Sequence, residues 1–474
     1  MKPTSRLPLS RRQFLRTAAR LSFLGPAATP FALNLAGIGA AAAQSAGGYR
    51  ALVCVFLFGG NDQGNTVLAT DPDSWAEYRR LRGTGSSIAL PAPGEANGVL
   101  PIAPATAQPG RAFALHPNMA PLKGLFDGGR AAVVANVGPL IVPLTKAAYE
   151  SGSSPRPRNL FSHSDQQSTW QAHAPEGASV GWGGRLGDIL GSTNASRAFT
   201  AISVSGSAVW LSGRDTMQYQ VGANGANGIA GIEGSLFGST AAAGALRAIV
   251  TADSTNLIAR THAGVARRAI DAQASLAAGM LPDASLEALP RVPGSGAENP
   301  LAAQLRVVAR MIGGRASLGV QRQVFFVSLG GFDTHDGQVG NQGRLLATLA
   351  QGIEYFDRLM ASPAVNAANE VTLFTASDFV RTGTSNGDGT DHGWGSHHFV
   401  VGGAVKGGDV YGRFPTIGSG TGDDVGNGRL LPSISVDQYA GTLGRWFGVS
   451  DVELDDVLPN LRNFTSRDIG FLKA

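Results

Sequence analysis

Three observations predict an α/β fold with a mostly parallel central sheet, helices on both faces and a loop-rich, helical insertion. First, short apolar runs are continuous rather than alternating, as in strands buried on both sides: Ala51–Phe58, Ala131–Val137, Val324–Leu329, Val371–Thr375 and Phe399–Val401. Second, helical patterns separate the later runs, so that residues 300 to 402 read strand, helix, strand. Third, acids, histidines and hydroxyls gather just beyond the C-terminal ends of the runs. In open α/β sheets ligands bind at that edge, because loops converge there on a rigid support.

Residues 1–43 read as a leader. Arg11-Arg12 stand before Phe14-Leu15, a weakly apolar stretch runs from Leu21 to Ala43, and Ala41-Ala42-Ala43 offers the small residues a signal peptidase accepts. The arginine pair resembles a twin-arginine export signal, which implies the twin-arginine translocase as partner in transit and a periplasmic or otherwise exported destination. Pro26, Pro30 and Asn34 make the stretch too polar for a permanent membrane anchor. The leader holds six basic residues and no acid, so the formal +4 of the whole chain becomes −2 for residues 44–474. Nucleic-acid binding loses its only support. No later segment approaches 18 uninterrupted apolar residues, so residues 44–474 are expected as one soluble domain without a membrane span.

The first run, Ala51–Phe58, carries the single cysteine, Cys54, expected as a small core side chain. One thiol excludes an internal disulfide, a Cys-rich zinc site and an iron–sulfur cluster. Gly59-Gly60-Asn61-Asp62 follows, a sharp turn from which Asp62 projects, either toward a ligand or as a cap. The GxGxxG and Gly-Lys-Ser/Thr spacings of nucleotide loops are absent.

After Ala131–Val137, Ser162 and Ser164 precede a helix predicted over Gln166–His173, where free backbone N–H groups favour either plain capping or a nucleophilic hydroxyl. Residues 195–297, with Gly222-Ala-Asn-Gly-Ala-Asn-Gly228 and the helical pattern Leu257–Leu281, are expected as the insertion or cap. Leu301–Ile312 predicts a core helix. Another follows from Leu345, Leu349, Ile353, Phe356 and Leu359, at spacings of three and four.

Between those helices, Val324–Leu329 leads into Phe332-Asp333-Thr334-His335. Residues two apart on an extended segment point the same way, so Asp333 and His335 are candidate ligands of one cation. Val371–Thr375 leads into Ser377-Asp378-Phe379-Val380-Arg381, in which Arg381 either pairs with Asp378 or binds an anion through its planar fork. Thr390-Asp391-His392-Gly393-Trp394-Gly395-Ser396-His397-His398 is the densest cluster, with three of the eight histidines within seven residues. It reads as a metal site containing His392 and Asp391.

Taken in order, these segments resemble a bacterial family catalogued as domain of unknown function 1501. The matching stretches are Phe56-Leu-Phe-Gly-Gly-Asn-Asp62, Ser162-His163, Gly330-Gly-Phe-Asp-Thr-His335, Ser377-Asp378-Phe379-Val380-Arg381-Thr382 and Gly389-Thr-Asp-His-Gly393, continuing to Tyr411-Gly412. That family is similar to the alkaline phosphatase and sulfatase superfamily, which implies an alkaline-phosphatase-like core. It also implies divalent metal (zinc, manganese, iron, magnesium or calcium) on Asp62, Asp333, His335, Asp378, Asp391 and His392. The resemblance further implies Ser162 (or Ser164) as nucleophile, Arg381 orienting the anion, and a small phosphate or sulfate ester as substrate. Two departures from the superfamily's pattern stand out: Asp333 and His335 are closer than its usual Asp-x-x-x-His, and Phe379 stands where its second metal would find a histidine. A non-catalytic envelope binding or assembly protein of the same fold is the alternative. A redox enzyme ranks third, without a supporting motif.

Overall fold

The computed structural model describes residues 48–83, 88–223, 225 and 228–473. The expected leader lies outside these residues. In chain order the strands are β1 (Arg50–Leu57), β2 (Val67–Ala69), β3 (Leu100–Ile102), β4 (Phe113–Leu115), β5 (Ala131–Gly138), β6 (Ala201–Ser203), β7 (Tyr219–Gln220), β8 (Arg322–Leu329), β9 (Val371–Ser377), β10 (Arg381–Ser385), β11 (Thr390–His392), β12 (Ser396–Val401), β13 (Val410–Tyr411) and β14 (Ile434–Ser435). The α-helices are α1 (Pro72–Arg82), α2 (Ala120–Asp127), α3 (Lys146–Ser151), α4 (His163–Ala172), α5 (Trp182–Leu190), α6 (Thr240–Val250), α7 (Leu257–Gly279), α8 (Pro300–Gly313), α9 (Gln338–Ala361), α10 (Val436–Phe447) and α11 (Asp451–Val457).

The central sheet runs β13-β5-β12-β9-β1-β8-β6-β7, with β14 also on β5. β1 is its middle, parallel to β8 and β9 along almost its whole length. Burial on both sides explains its unbroken apolar run. Ala51, Val53, Val55 and Leu57 pack in one core layer with α8 and α9 (Leu305, Leu349, Ile353). Leu52, Cys54 and Phe56 face the other, with α5 and α10 (Trp182, Leu186, Tyr439, Leu443). Period-two alternation sends one strand's side chains to two helical layers, which gives the expected three-layer α/β architecture.

Two details depart from expectation. The apolar run at Phe399–Val401 belongs to β12, which is antiparallel to both β5 and β9, whereas every other strand of the sheet runs the same way. Burial on two faces, not strand direction, produces a continuous apolar run. Residues 195–297 also do not begin as an insertion: β6 pairs with β8, and β7 with β6, at the sheet's edge. The part that leaves the sheet starts after Gln220, and the chain rejoins it at β8.

The antiparallel β12 matters for function. β1, β8 and β9 finish at one edge of the sheet and β12 starts there, so the segment before β12 joins the loops after the other three.

Candidate metal centre

Four segments meet at that edge. Gly59 follows β1 with φ +111, and a Cβ on it would lie 2.3 Å from the Asp333 backbone nitrogen. A Cβ on Gly389 would lie 2.2 Å from the His335 carbonyl oxygen. Glycine at these two places allows the loops after β1 and β8 and the segment before β12 to touch through their backbones.

Asp333 stands at the middle. Its Oδ1 is 3.1 Å from His335 Nε2, 3.4 Å from His392 Nε2 and 3.5 Å from His163 Nε2. His335 Nε2 and His392 Nε2 are 2.9 Å apart. Ligand atoms of His163, Asp333 and His392 all lie within 4.8 Å of one another.

Each imidazole is held from behind. His163 Nδ1 is 2.7 Å from Asp378 Oδ2, His335 Nδ1 is 3.2 Å from Asp391 Oδ1, and His392 Nδ1 is 2.8 Å from the Phe161 carbonyl oxygen. Oxygens that only accept place a proton on Nδ1 in each ring, which turns the Nε2 side of all three toward Asp333. His163 Nε2 is shielded from solvent and has no hydrogen-bond partner. A buried, unpartnered lone pair is costly unless it has an electrophile to meet, and the ligand atoms of His163, His392 and Asp333 lie close enough together to share one divalent cation, with His335 beside them.

The supports are themselves anchored. Asp378 is fully buried, and its Oδ2 accepts from Gln167 Nε2 at 2.7 Å and from the Gly59 N–H at 3.2 Å. Phe161 holds φ +72, an unfavourable conformation for a bulky residue, and so presents its carbonyl to His392. Arg429 stacks on the Phe161 ring at 4.8 Å and donates to the His392 carbonyl at 2.7 Å.

Charge tunes the cluster. The Asp378 hydrogen bond raises the His163 imidazole above its ordinary pKa against the opposing effect of burial. Burial lowers His392, and the nearby His163 and Arg381 add to the shift. Partial burial pushes the Asp333 carboxyl up, but the Arg381 hydrogen bond and charge, with His163 and His335, bring it below the usual range.

The expected ligands therefore divide. Asp333, His335 and His392 meet at the centre. Asp378 and Asp391 stand behind the imidazoles of His163 and His335. Asp62 lies apart in a buried ion pair with Arg82, and also accepts from Gln338 Nε2 at 2.5 Å and the Gly64 N–H at 3.0 Å. Arg381 is wholly buried, bonded to Asp333 Oδ1 at 2.5 Å, the Gly59 carbonyl at 3.3 Å and the Thr390 carbonyl, so its fork is already engaged. Ser162 is the N-cap of α4, which starts three residues before the predicted helix, and its Oγ donates to Asp165 Oδ2 at 2.9 Å. His163, the first residue of α4, was not among the sequence's leading candidates. Its signal was the Ser162-His163 pair itself. The Phe379 ring lies 4.7 Å from that of His163 and 4.6 Å from that of His392.

A family model described as "Protein of unknown function (DUF1501)" matches residues 49–458. The chain belongs to that family. Solved structures similar to this DUF1501 chain include two of Ps i-CgsB, one in complex with k-i-k-neocarrahexaose. Their identities are 8% and 9%, the TM-score is 0.34, and 88% of this chain and 77% of that one are covered. BT1596, a 2-O GAG sulfatase, is similar at 9% identity and a TM-score of 0.27, covering 85% of this chain and 71% of that one. Likeness at this level carries no inference about activity. No curated protein matches the DUF1501 chain.

Proposed function

We propose that this chain is an exported, metal-dependent hydrolase of small phosphate or sulfate esters. The observation that carries the reading is the convergence of three imidazole Nε2 atoms on Asp333, each ring fixed by an acceptor at Nδ1. His163, His335, His392 and Asp333 would hold one divalent cation. A nitrogen-rich set suits zinc, manganese or iron better than magnesium or calcium. When bound, the cation supplies Lewis acidity that stabilises negative charge developing on phosphoryl or sulfuryl oxygens.

The chain's own residues do the rest. Asp378, Asp391 and the Phe161 carbonyl hold the tautomers and ring orientations. Arg381 acts as a positioning residue, by fixing Asp333 and the backbone at Thr390, instead of gripping the substrate. Asp333 keeps 44% of its side chain exposed, which leaves the centre open to a small ester. Ser162 is the nucleophile candidate, with Asp165 as the acceptor of its proton. Passage through the twin-arginine translocase is supported by Arg11-Arg12 and the leader that follows. Among the described residues no helix is long and apolar enough to cross a membrane.

Elemental analysis of the native protein, beside His163→Ala and His335→Ala, tests the reading together with a panel of chromogenic phosphate and sulfate esters. About one divalent cation per chain is expected, lost with ester cleavage in both variants. Native protein without stoichiometric metal would sink the mechanism. One feature favours the alternative, a non-catalytic envelope module: four protein donors make a closed set, the habit of structural sites. Bound metal with silence across the ester panel would decide for that reading.

A further inference from the structure

α4 carries a histidine at each end. His163 opens the helix at the metal centre, and His173 caps its other end, about 15 Å away along the axis. His173 holds φ +57, a left-handed conformation in which glycine or asparagine is usual at a helix end. Its side chain is almost wholly buried, with 4% exposed.

The two ring nitrogens of His173 differ in their surroundings. Nδ1 lies 3.3 Å from Oδ2 of Asp437, a buried residue in the first turn of α10. That carboxylate is held in place by Asn460, whose N–H donates to Oδ1 at 3.0 Å and whose Nδ2 donates to Oδ2 at 3.4 Å. Nε2, on the other side of the ring, is shielded from solvent and has no hydrogen-bond partner. Buried polar nitrogens are normally paired, so this one points to a group that the fold itself does not provide.

His173 lines a cavity of about 210 Å³ together with Arg156, Arg158, Leu140, Ile141 and Val436. Arg158 is exposed and, among the described residues, makes no hydrogen bond or ion pair. Arg156 is engaged on one side: its Nη1 donates to the Tyr149 carbonyl at 3.1 Å, and its guanidinium lies 5.0 Å from the centre of the Tyr149 ring. Its other donors stay open. Asp437 is the one carboxylate lining the cavity, and it is turned to His173 and Asn460. Two guanidinium groups thus stand against a single acid that is already committed, beside an unpaired imidazole nitrogen. Much of the remaining wall is apolar.

We propose that this cavity binds a small organic oxyanion, a carboxylate or a phosphate monoester with a short apolar body. With both ring nitrogens of His173 protonated, Nδ1 faces Asp437 and Nε2 donates to the anion, while Arg158 and the open side of Arg156 take its other oxygens. Asp437 balances the charge on the ring. The apolar body lies against Leu140, Ile141 and Val436.

Calorimetric titration of the full chain, stripped of metal with a chelator, tests this with butanoate, butyl phosphate and butylammonium. Stripping removes anion binding at the metal centre. About one butanoate or butyl phosphate per chain is expected, the tighter of the two naming the head group, and butylammonium should not bind. Arg158→Ala and His173→Asn should each weaken binding by about tenfold, and the bound anion should shift the His173 ring resonances. Arg158 makes no other polar contact among the described residues, so Arg158→Ala should keep the parent's unfolding midpoint and separate loss of the site from loss of the fold. Absence of binding by both anions, equal binding of butylammonium, unmoved His173 resonances, or variants that bind as the parent does would each overturn the proposal.

Discussion

His163 and Asp378 stand 215 residues apart in sequence and 2.7 Å apart in the fold, and much of the centre's chemistry depends on that pair. Asp378→Asn replaces a charged acceptor with an amide and weakens the hold on the His163 tautomer. Metal affinity should drop about 10- to 100-fold, measured by competition with a chelator. Asp62 provides the contrast. Its carboxylate is spent on Arg82, Gln338 and Gly64, so Asp62→Asn should leave metal content intact. It should cost about 3–5 kcal/mol in denaturant unfolding, because Arg82 then loses its buried counter-charge. Loss of metal in Asp62→Asn with unchanged stability would refute this division. Both aspartates follow a strand at the same edge, and the resemblance to the alkaline phosphatase and sulfatase superfamily implied the same role for them.

At the scale of elements, the centre depends on how closely loops approach. Gly59 has φ +111 and no room for a Cβ against the Asp333 backbone. Gly59→Ala should therefore destabilise the chain by about 1–3 kcal/mol and weaken metal binding as well, since the β1 and β8 loops must separate. Unfolding midpoints and metal content in the same preparation check both. The five apolar runs were legible as strands because two-sided burial writes itself into composition. The direction of β12 was not, since an antiparallel strand between two others is equally buried. Without that reversal His392 would lie at the opposite end of the sheet from Asp333.

For the whole molecule, acid sensitivity follows from three buried histidines. Burial pushes His116 down to about 4, and His397 and His398 down to about 3. Two serve as acceptors in the neutral form: His116 Nδ1 from the Asn118 N–H, and His397 Nδ1 from the Asn136 N–H, both at 3.0 Å. The unfolded chain takes up these protons first, near pH ~6.5. The stability they confer is thus complete above that pH and is lost as pH falls toward the folded values, by up to about 1.4 kcal/mol per pH unit for each histidine. Denaturant midpoints compared at about pH 7 and about pH 5 should show the drop, and His116→Asn should make it shallower. An equal pH dependence in parent and variant would contradict the assignment.

The sequence by itself determined the α/β class, the sheet edge at which polar loops gather, the family motifs, and Asp333 with His335 as a pair on one side of an extended segment. Those features are local: periodicity, runs of apolar residues, and neighbours a few positions apart. Only the tertiary structure decided which carboxylates face the centre, which stand behind an imidazole and which neutralise a distant arginine. It also brought His163 beside Asp333 and His392. A carboxylate's role is fixed by the charge and hydrogen-bond donors within a few ångströms of it, and in this fold those partners come from segments hundreds of residues away.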